Sequence, residues 1–225
     1  MDFEEVITSR RSIRGYKPDP VPLEVIRDII TLATRSPSSM NTQPWYFHVV
    51  TGEPLDRIRE GNTERNLAGI PASREIRMHG AYEGKHRQRQ KAIAGQLFEA
   101  MDIEWTDKEK RHDWVMRGFR QFDAPVSIVV TFDRDLLEND IAIFDCGAVV
   151  TSLVNAAWSK GVGCVINGQG IMQSPVVREH ARIPDDQIIM SCIAMGYPAD
   201  DFAANDVVSE RRPIDEVVSF VGFDN

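Results

Sequence analysis

Residues 36–47 read SPSSMNTQPWYF, a polar loop set between two elements of opposite period. Upstream, Val25, Ile26, Ile29, Ile30 and Ala33 recur at helical spacing, and Pro37 bars that helix from continuing. Downstream, Trp45, Phe47, Val49 and Val50 alternate as a strand that Gly52 closes, and Leu55–Leu67 returns to helical spacing. Four short hydroxyl and amide side chains, Ser38, Ser39, Asn41 and Gln43, fill the connection. Such groups either make a local turn or present hydrogen bonds to something outside the chain.

The same alternation of elements continues outward. Phe3, Val6 and Ile7 predict a short first helix ending near the basic cluster RRSIR at 10–14, and Pro18, Pro20 and Pro22 enforce extended backbone after it. Tyr82 to Gln121 lacks proline and is rich in Lys, Arg, Glu, Gln and Ala, which predicts two helices broken near 102–106, an excursion from the core with positive charge on exposed faces. PVSIVVTF, 125–132, reads as a buried strand. The helix expected over Asp140–Lys160 is apolar on nearly every side, so it must be covered from several directions, in part by a second subunit. A strand at Cys164–Ile166, the loop NGQGI, a helix at Ser174–Ala181 and a strand at Gln187–Met195 complete the regular elements, and 199–225 forms an acidic extended tail. Strands interspersed with helices, few of them at βαβ spacing, predict an α+β fold in one domain spanning 1–225.

Composition narrows the partners. The chain has 225 residues, 42% hydrophobic and 27% charged, with a formal net charge of −8, so its field repels polyanions and a nucleic-acid binder is not expected. The run KHRQRQK at 85–91 reads as a solvated helix face. Three cysteines in apolar surroundings, Cys146, Cys164 and Cys192, predict buried thiols and a cytoplasmic chain, and the start MDFEEVITSRRS shows no export signal. The apolar stretch 141–158 is interrupted by Asp145, Thr151, Ser152 and Asn155, so a buried helix is expected there and no membrane span.

Several chemistries are excluded by pattern. His48, His79, His86, His112 and His180 are scattered without metal-ligand spacing, so no metal is expected. No nucleophile elbow or P-loop occurs, and GVGCVI at 161–166 fails the dinucleotide fingerprint at its last position. Three polar clusters remain: RRSIR, SPSSMNTQ and the late ERR at 210–212. Arginine forks and a hydroxyl brought together by folding suit a phosphate monoester, while each cluster alone also reads as a helix-end charge group or a turn.

In this order the clusters resemble the nitroreductase family of FMN-dependent oxidoreductases. The resemblance rests on Arg10, Arg11, Ser12 and Arg14, on Pro37, Ser38, Asn41, Gln43, Pro44 and Trp45, on the glycines from Gly161 to Gly170, and on Arg211 ahead of Pro213. RQFDAPV at 120–126 and the ending VVSFVGF are similar to the branch acting on nitroarenes such as nitrobenzene. The resemblance implies a central mixed sheet flanked by helices, a C-terminal tail wrapping a partner, and a homodimer with FMN at the subunit interface. It implies that Arg10, Arg11, Ser12 and Arg211 hold the phosphate side of the cofactor, and that Arg14 faces the pyrimidine edge and stabilises reduced flavin. Pro37, Ser38, Ser39 and Asn41 would come from the partner chain, with Ile166, Asn167, Gly168 and Gln169 lining the ring. Met40, Tyr82, Phe119 and Phe122 are candidate substrate contacts, although core packing reads equally well for the aromatic three.

The implied reaction passes electrons from NAD(P)H to a nitroaromatic compound, nitro to nitroso to hydroxylamine, by a ping-pong hydride mechanism with no covalent side-chain catalyst. The competing readings are a reductive dehalogenase or enone reductase on the same fold, a flavin-destroying enzyme, and a non-enzymatic module for a phosphorylated ligand.

Overall fold

The computed structural model describes residues 1–76 and 80–223, and His79 lies outside the described residues. Seven α-helices surround one sheet: α1 (Phe3–Ser9), α2 (Leu23–Ala33), α3 (Glu53–Leu67), α4 (Gly84–Ala100), α5 (Lys108–Phe119), α6 (Asp140–Ser159) and α7 (Ser174–Ala181). The strands are β1 (Trp45–Thr51), β2 (Val126–Asp133), β3 (Gly163–Asn167) and β4 (Gln187–Gly196), in the order β1-β2-β4-β3. Each strand and helix expected from periodicity is present, and the α+β class holds. The sheet, expected as mixed, pairs antiparallel at every one of these strands; its parallel component is a single bridge between Ser12 and Cys164.

Period-2 alternation divides the sheet's side chains between two cores. Val126, Ile128, Val130 and Phe132 of β2 point toward α2 and α6, whereas Val129 points toward α3 and α7. On β4 the parity switches: Ile188 lies in the first core, and so do Ile193 and Met195. The switch is a β-bulge, because Thr131 pairs with Ile189 and Val130 with Ser191, leaving Met190 as the extra residue.

The apolar character of α6 has a structural source. Ala142, Cys146, Val149, Val150, Leu153, Val154 and Ala157 are buried, while Ile141 and Phe144 are 52% and 74% exposed. This is the one helix among the described residues long and apolar enough to cross a membrane, and its buried stripe belongs to the main core. The α4–α5 excursion meets the rest through Leu97, Phe98, Met116 and Phe119, with residues 85–91 all exposed. Past β4 the chain runs extended, with short 3-10 turns at Ala203–Asn205 and Ile214–Glu216.

Candidate active site

The arginine segment follows α1 and lies along β3. Ile13, 1% exposed, donates its N–H to the Cys164 carbonyl at 3.0 Å, and with Ile13 and Gly15 buried, Arg10, Ser12 and Arg14 alternate with them as half-buried side chains. What fixes this backbone is Asn205, itself 4% exposed. Its Oδ1 accepts from the N–H groups of Arg14 (2.8 Å) and Gly15 (3.0 Å), and its Nδ2 donates to the carbonyls of Gly15 (2.8 Å) and Ala199 (3.2 Å). Arg11 is drawn into the same clamp. Its Nε donates to the Asn205 carbonyl at 2.6 Å, its guanidinium meets Asp206 at 3.6 Å and it lies over Trp158, which makes it a tether for the tail.

Arg14 has few partners of its own among the described residues. Its Nη1 reaches only the Ser12 carbonyl, at 3.4 Å, and burial lowers its pKa. Beside it lies Arg117, from the last turn of α5, whose Nη2 donates to the Arg14 carbonyl at 3.2 Å. The Arg117 guanidinium stacks 4.7 Å from the centre of the Phe202 ring, its Nε is buried without a partner, and burial lowers its pKa also. Among the described residues neither arginine has a carboxylate at ion-pair distance. Each of the two guanidiniums is desolvated, which is costly for a cation unless an anion or several acceptors meet it. Phe202 can lie here because residue 15 is glycine: a Cβ there would stand 2.1 Å from the ring.

The loop after β3 closes another side of the arginine group. Asn167, 4% exposed, donates from Nδ2 to the Gly118 carbonyl at 2.7 Å and accepts from the Gln169 N–H at 2.9 Å, so the turn is fastened to the end of α5 just after Arg117. Gln169 packs onto Gly118, where a Cβ would meet its Oε1 at 1.9 Å, and donates to the Val115 carbonyl. Ile166 is half exposed in an otherwise buried strand, Gly168 is exposed, and the Arg74 guanidinium borders Gly168, its pKa lowered by burial.

The Ser36–Gln43 loop is exposed over most of its length. Pro37, Ser39, Met40, Asn41, Thr42 and Gln43 are exposed, Met40 at 96%. Met40, Asn41 and Gln43 have φ of 49°, 62° and 48°, a left-handed conformation costing about 1–2 kcal/mol for a residue with a Cβ. Ser38 Oγ accepts from the Gln43 N–H at 3.0 Å, which spans the strained residues. No ligand-like partner within the chain engages Ser39 Oγ or the Asn41 side chain among the described residues.

Other expected contacts lie elsewhere. Phe119 and Phe122 are 3% and 7% exposed, and Phe122 packs with Ala124, Val165 and Ala194, so the burial of both agrees with the core-packing reading. Tyr82 is 64% exposed, ahead of α4. Arg211 bonds Ser209 and the Glu210 carbonyl and lines a cavity of about 300 Å³ with Arg89, Gln96 and Arg212; none of residues 10–14 lines it. Sequence reasoning missed Arg117 and Asn205. Arg117 lies in a segment read as solvated helix, and the signal for Asn205 was slight, an amide within an acidic tail.

Among the described residues the fold is a four-stranded antiparallel sheet with helices on both faces, and it carries desolvated arginines beside a glycine-containing turn. The sequence model of the Nitroreductase family matches residues 7–197. The chain is 33% identical to the chloronitrobenzene nitroreductase of Comamonas testosteroni over 97% of its own length and 96% of the relative's, and 32% identical to the nitrobenzene nitroreductase of Ectopseudomonas oleovorans over the same shares. The crystal structure of the FMN- and NADPH-dependent nitroreductase NfnB from Sphigopyxis sp. strain HMH superposes with a TM-score of 0.93, at 25% identity, covering 99% of this chain and 100% of the other. The chain belongs to the nitroreductase family, as the order of its motifs implied.

Proposed function

We propose that this protein is an FMN-dependent nitroreductase that uses NAD(P)H to reduce nitroaromatic compounds. The observation that carries the reading is that Arg14 and Arg117 are both desolvated and, among the described residues, neither has a carboxylate at ion-pair distance. They suit a ligand that gains negative charge during its reaction, and the reduced flavin does. The relatives named above, called nitrobenzene and chloronitrobenzene nitroreductases, support the substrate class.

FMN, when bound, supplies the two-electron transfer, and the chain supplies binding, orientation and charge. Arg14 and Arg117 would face the pyrimidine edge, where their charge favours the reduced state. The half-buried Arg10 and Ser12 would meet the phosphate and ribityl oxygens, with Arg211 swinging from its Ser209 contacts to join them. The exposed backbone of Ile166 and Gly168, held by Asn167, would lie along the ring, and exposed Met40 and Tyr82 would border the substrate.

A second copy of this chain completes the site in this reading. The Ser36–Gln43 loop is preformed yet faces outward, and apolar surface is displayed nearby and beyond: Phe3, Ile141 and Phe144, and in the tail Val208, Ile214, Val217, Phe220, Val221 and Phe223. An area of this kind marks an interface between proteins. The homodimer, the single domain over 1–225 and a cytoplasmic location all belong to this proposal.

The test is a spectrum of the purified protein, soaked with FMN, before and after NADPH without oxygen. An oxidised-flavin band that bleaches and returns with nitrobenzene supports the proposal; failure to take up FMN overturns it. Arg10→Ala and Arg211→Ala are each expected to weaken FMN by about 1.5–3 kcal/mol, the worth of a charge-assisted bond. Equilibrium sedimentation should give a dimer, and a monomer for the FMN-loaded protein refutes the shared site.

A further inference from the structure

We propose that Asp145 of α6 is a positioning residue for the Ser36–Gln43 loop, holding it in the left-handed shape in which it meets FMN. The proposal rests on the reading of that loop as part of the flavin site.

The loop is anchored to α6 at two places. The Ser39 N–H donates to Asp145 Oδ2 at 3.0 Å, and the Ser36 and Ser152 hydroxyls meet at 2.5 Å. Asp145 and Ser152 are seven residues apart, about two helical turns, so they share one face of α6 and form a short ruler along which the loop is laid. Directly after the second anchor, at Ser39, the backbone takes its three positive φ values, at Met40, Asn41 and Gln43. An exposed loop holding such angles relaxes unless its surroundings over-determine them.

Asp145 is an unusual tool for that task. It is 3% exposed in a helix whose other buried side chains are all apolar. Among the described residues no Lys, Arg or His lies at ion-pair distance from it, and the Ser39 N–H is the hydrogen-bond donor that meets its carboxylate. A buried carboxylate is retained at a cost in solvation, and an apolar residue would suit the core better. The charge-assisted bond to a backbone amide at the entry of the left-handed turn supplies what an apolar residue would not. In the sequence this aspartate reads as an interruption of an apolar helix; the fold places it under the loop.

The test compares Asp145→Asn, which keeps an acceptor oxygen, with Asp145→Ala, which has none, by FMN titration and by amide hydrogen exchange on the FMN-free protein. In Asp145→Ala, FMN affinity is expected to fall about tenfold and exchange over residues 38–43 to quicken by a similar factor, as loss of one charged hydrogen bond implies, with Asp145→Asn staying within about threefold of the parent. Parent-like exchange over 38–43 in Asp145→Ala overturns the proposal, and so does acceleration spread evenly over α6 and the sheet. If the unmutated chain takes up no FMN, the flavin reading falls, and the exchange data alone still decide whether Asp145 sets the loop.

Discussion

Replacing Asn205 with alanine should do more damage than any other single change in the tail. The side chain makes four hydrogen bonds between 2.8 and 3.2 Å to backbone groups of Arg14, Gly15 and Ala199. Each contributes about 1 kcal/mol net, and a buried backbone donor left unpaired costs about 1–3 kcal/mol. Water admitted into the vacated space recovers part of this, so a loss of about 3 kcal/mol is expected, a fall of roughly 6–12 °C in melting temperature for a chain of this size. The local consequence is larger than the global one, because Asn205 holds the backbone from which Arg14 projects and its carbonyl holds Arg11. FMN binding should therefore weaken at temperatures where the variant is fully folded. Asn205→Asp is the control: it keeps Oδ1 as acceptor but turns a second oxygen toward the Gly15 and Ala199 carbonyls, so it should be no better than alanine. Thermal unfolding followed by circular dichroism and an FMN titration read both effects. A melting temperature within about 2 °C of the parent, with unchanged FMN affinity, would refute the clamp.

Two further outcomes follow from charge and burial. Arg14→Met and Arg117→Met should each lower the midpoint potential of bound FMN by about 30–60 mV, the two-electron equivalent of about 1.5–3 kcal/mol lost at the reduced state, while Arg11→Met should leave it unmoved. Spectroelectrochemistry measures this, and an unchanged potential in both variants removes the pair from the pyrimidine edge. At high pH, burial pushes the Cys146 and Cys192 thiols up to about 12 from 9.0, so the folded chain keeps protons that the unfolded chain releases. Stability is then fully present below pH 9 and falls as pH rises toward 12, by up to about 1.4 kcal/mol per pH unit for each thiol. Urea unfolding at pH 8, 9 and 10 checks the sign, and Cys192→Ala should flatten the slope.

Much of the architecture was legible because its elements depend on local pattern. α2 has a clean 3.6-residue period, β1 is an apolar run that Gly52 closes, and proline at its second position and the polar turn after it bound α7 at Ser174–Ala181. Strand direction was not legible, because pairing depends on which edges meet. The expected mixed sheet proved antiparallel, with the bulge at Met190 adjusting which side chains face each core. At the site, Arg14 and the Ser36–Gln43 loop stood out as dense polar motifs, but a motif carries no information on the intrachain partners of Arg11 and Phe119. The first is claimed by Asn205 and Asp206, the second by the core.

The sequence by itself determined the elements, the family and the polar clusters proposed to meet a charged cofactor, since periodicity and short-range chemistry are properties of neighbours in the chain. Only the tertiary structure decided which arginines remain unpartnered and what holds the loop. Arg14 meets Arg117 across 103 residues, Asn205 reaches back 191 residues to Arg14, and Asp145 lies 106 residues from Ser39. Desolvation and hydrogen-bond partnership are set by such long-range contacts, and no local pattern encodes them.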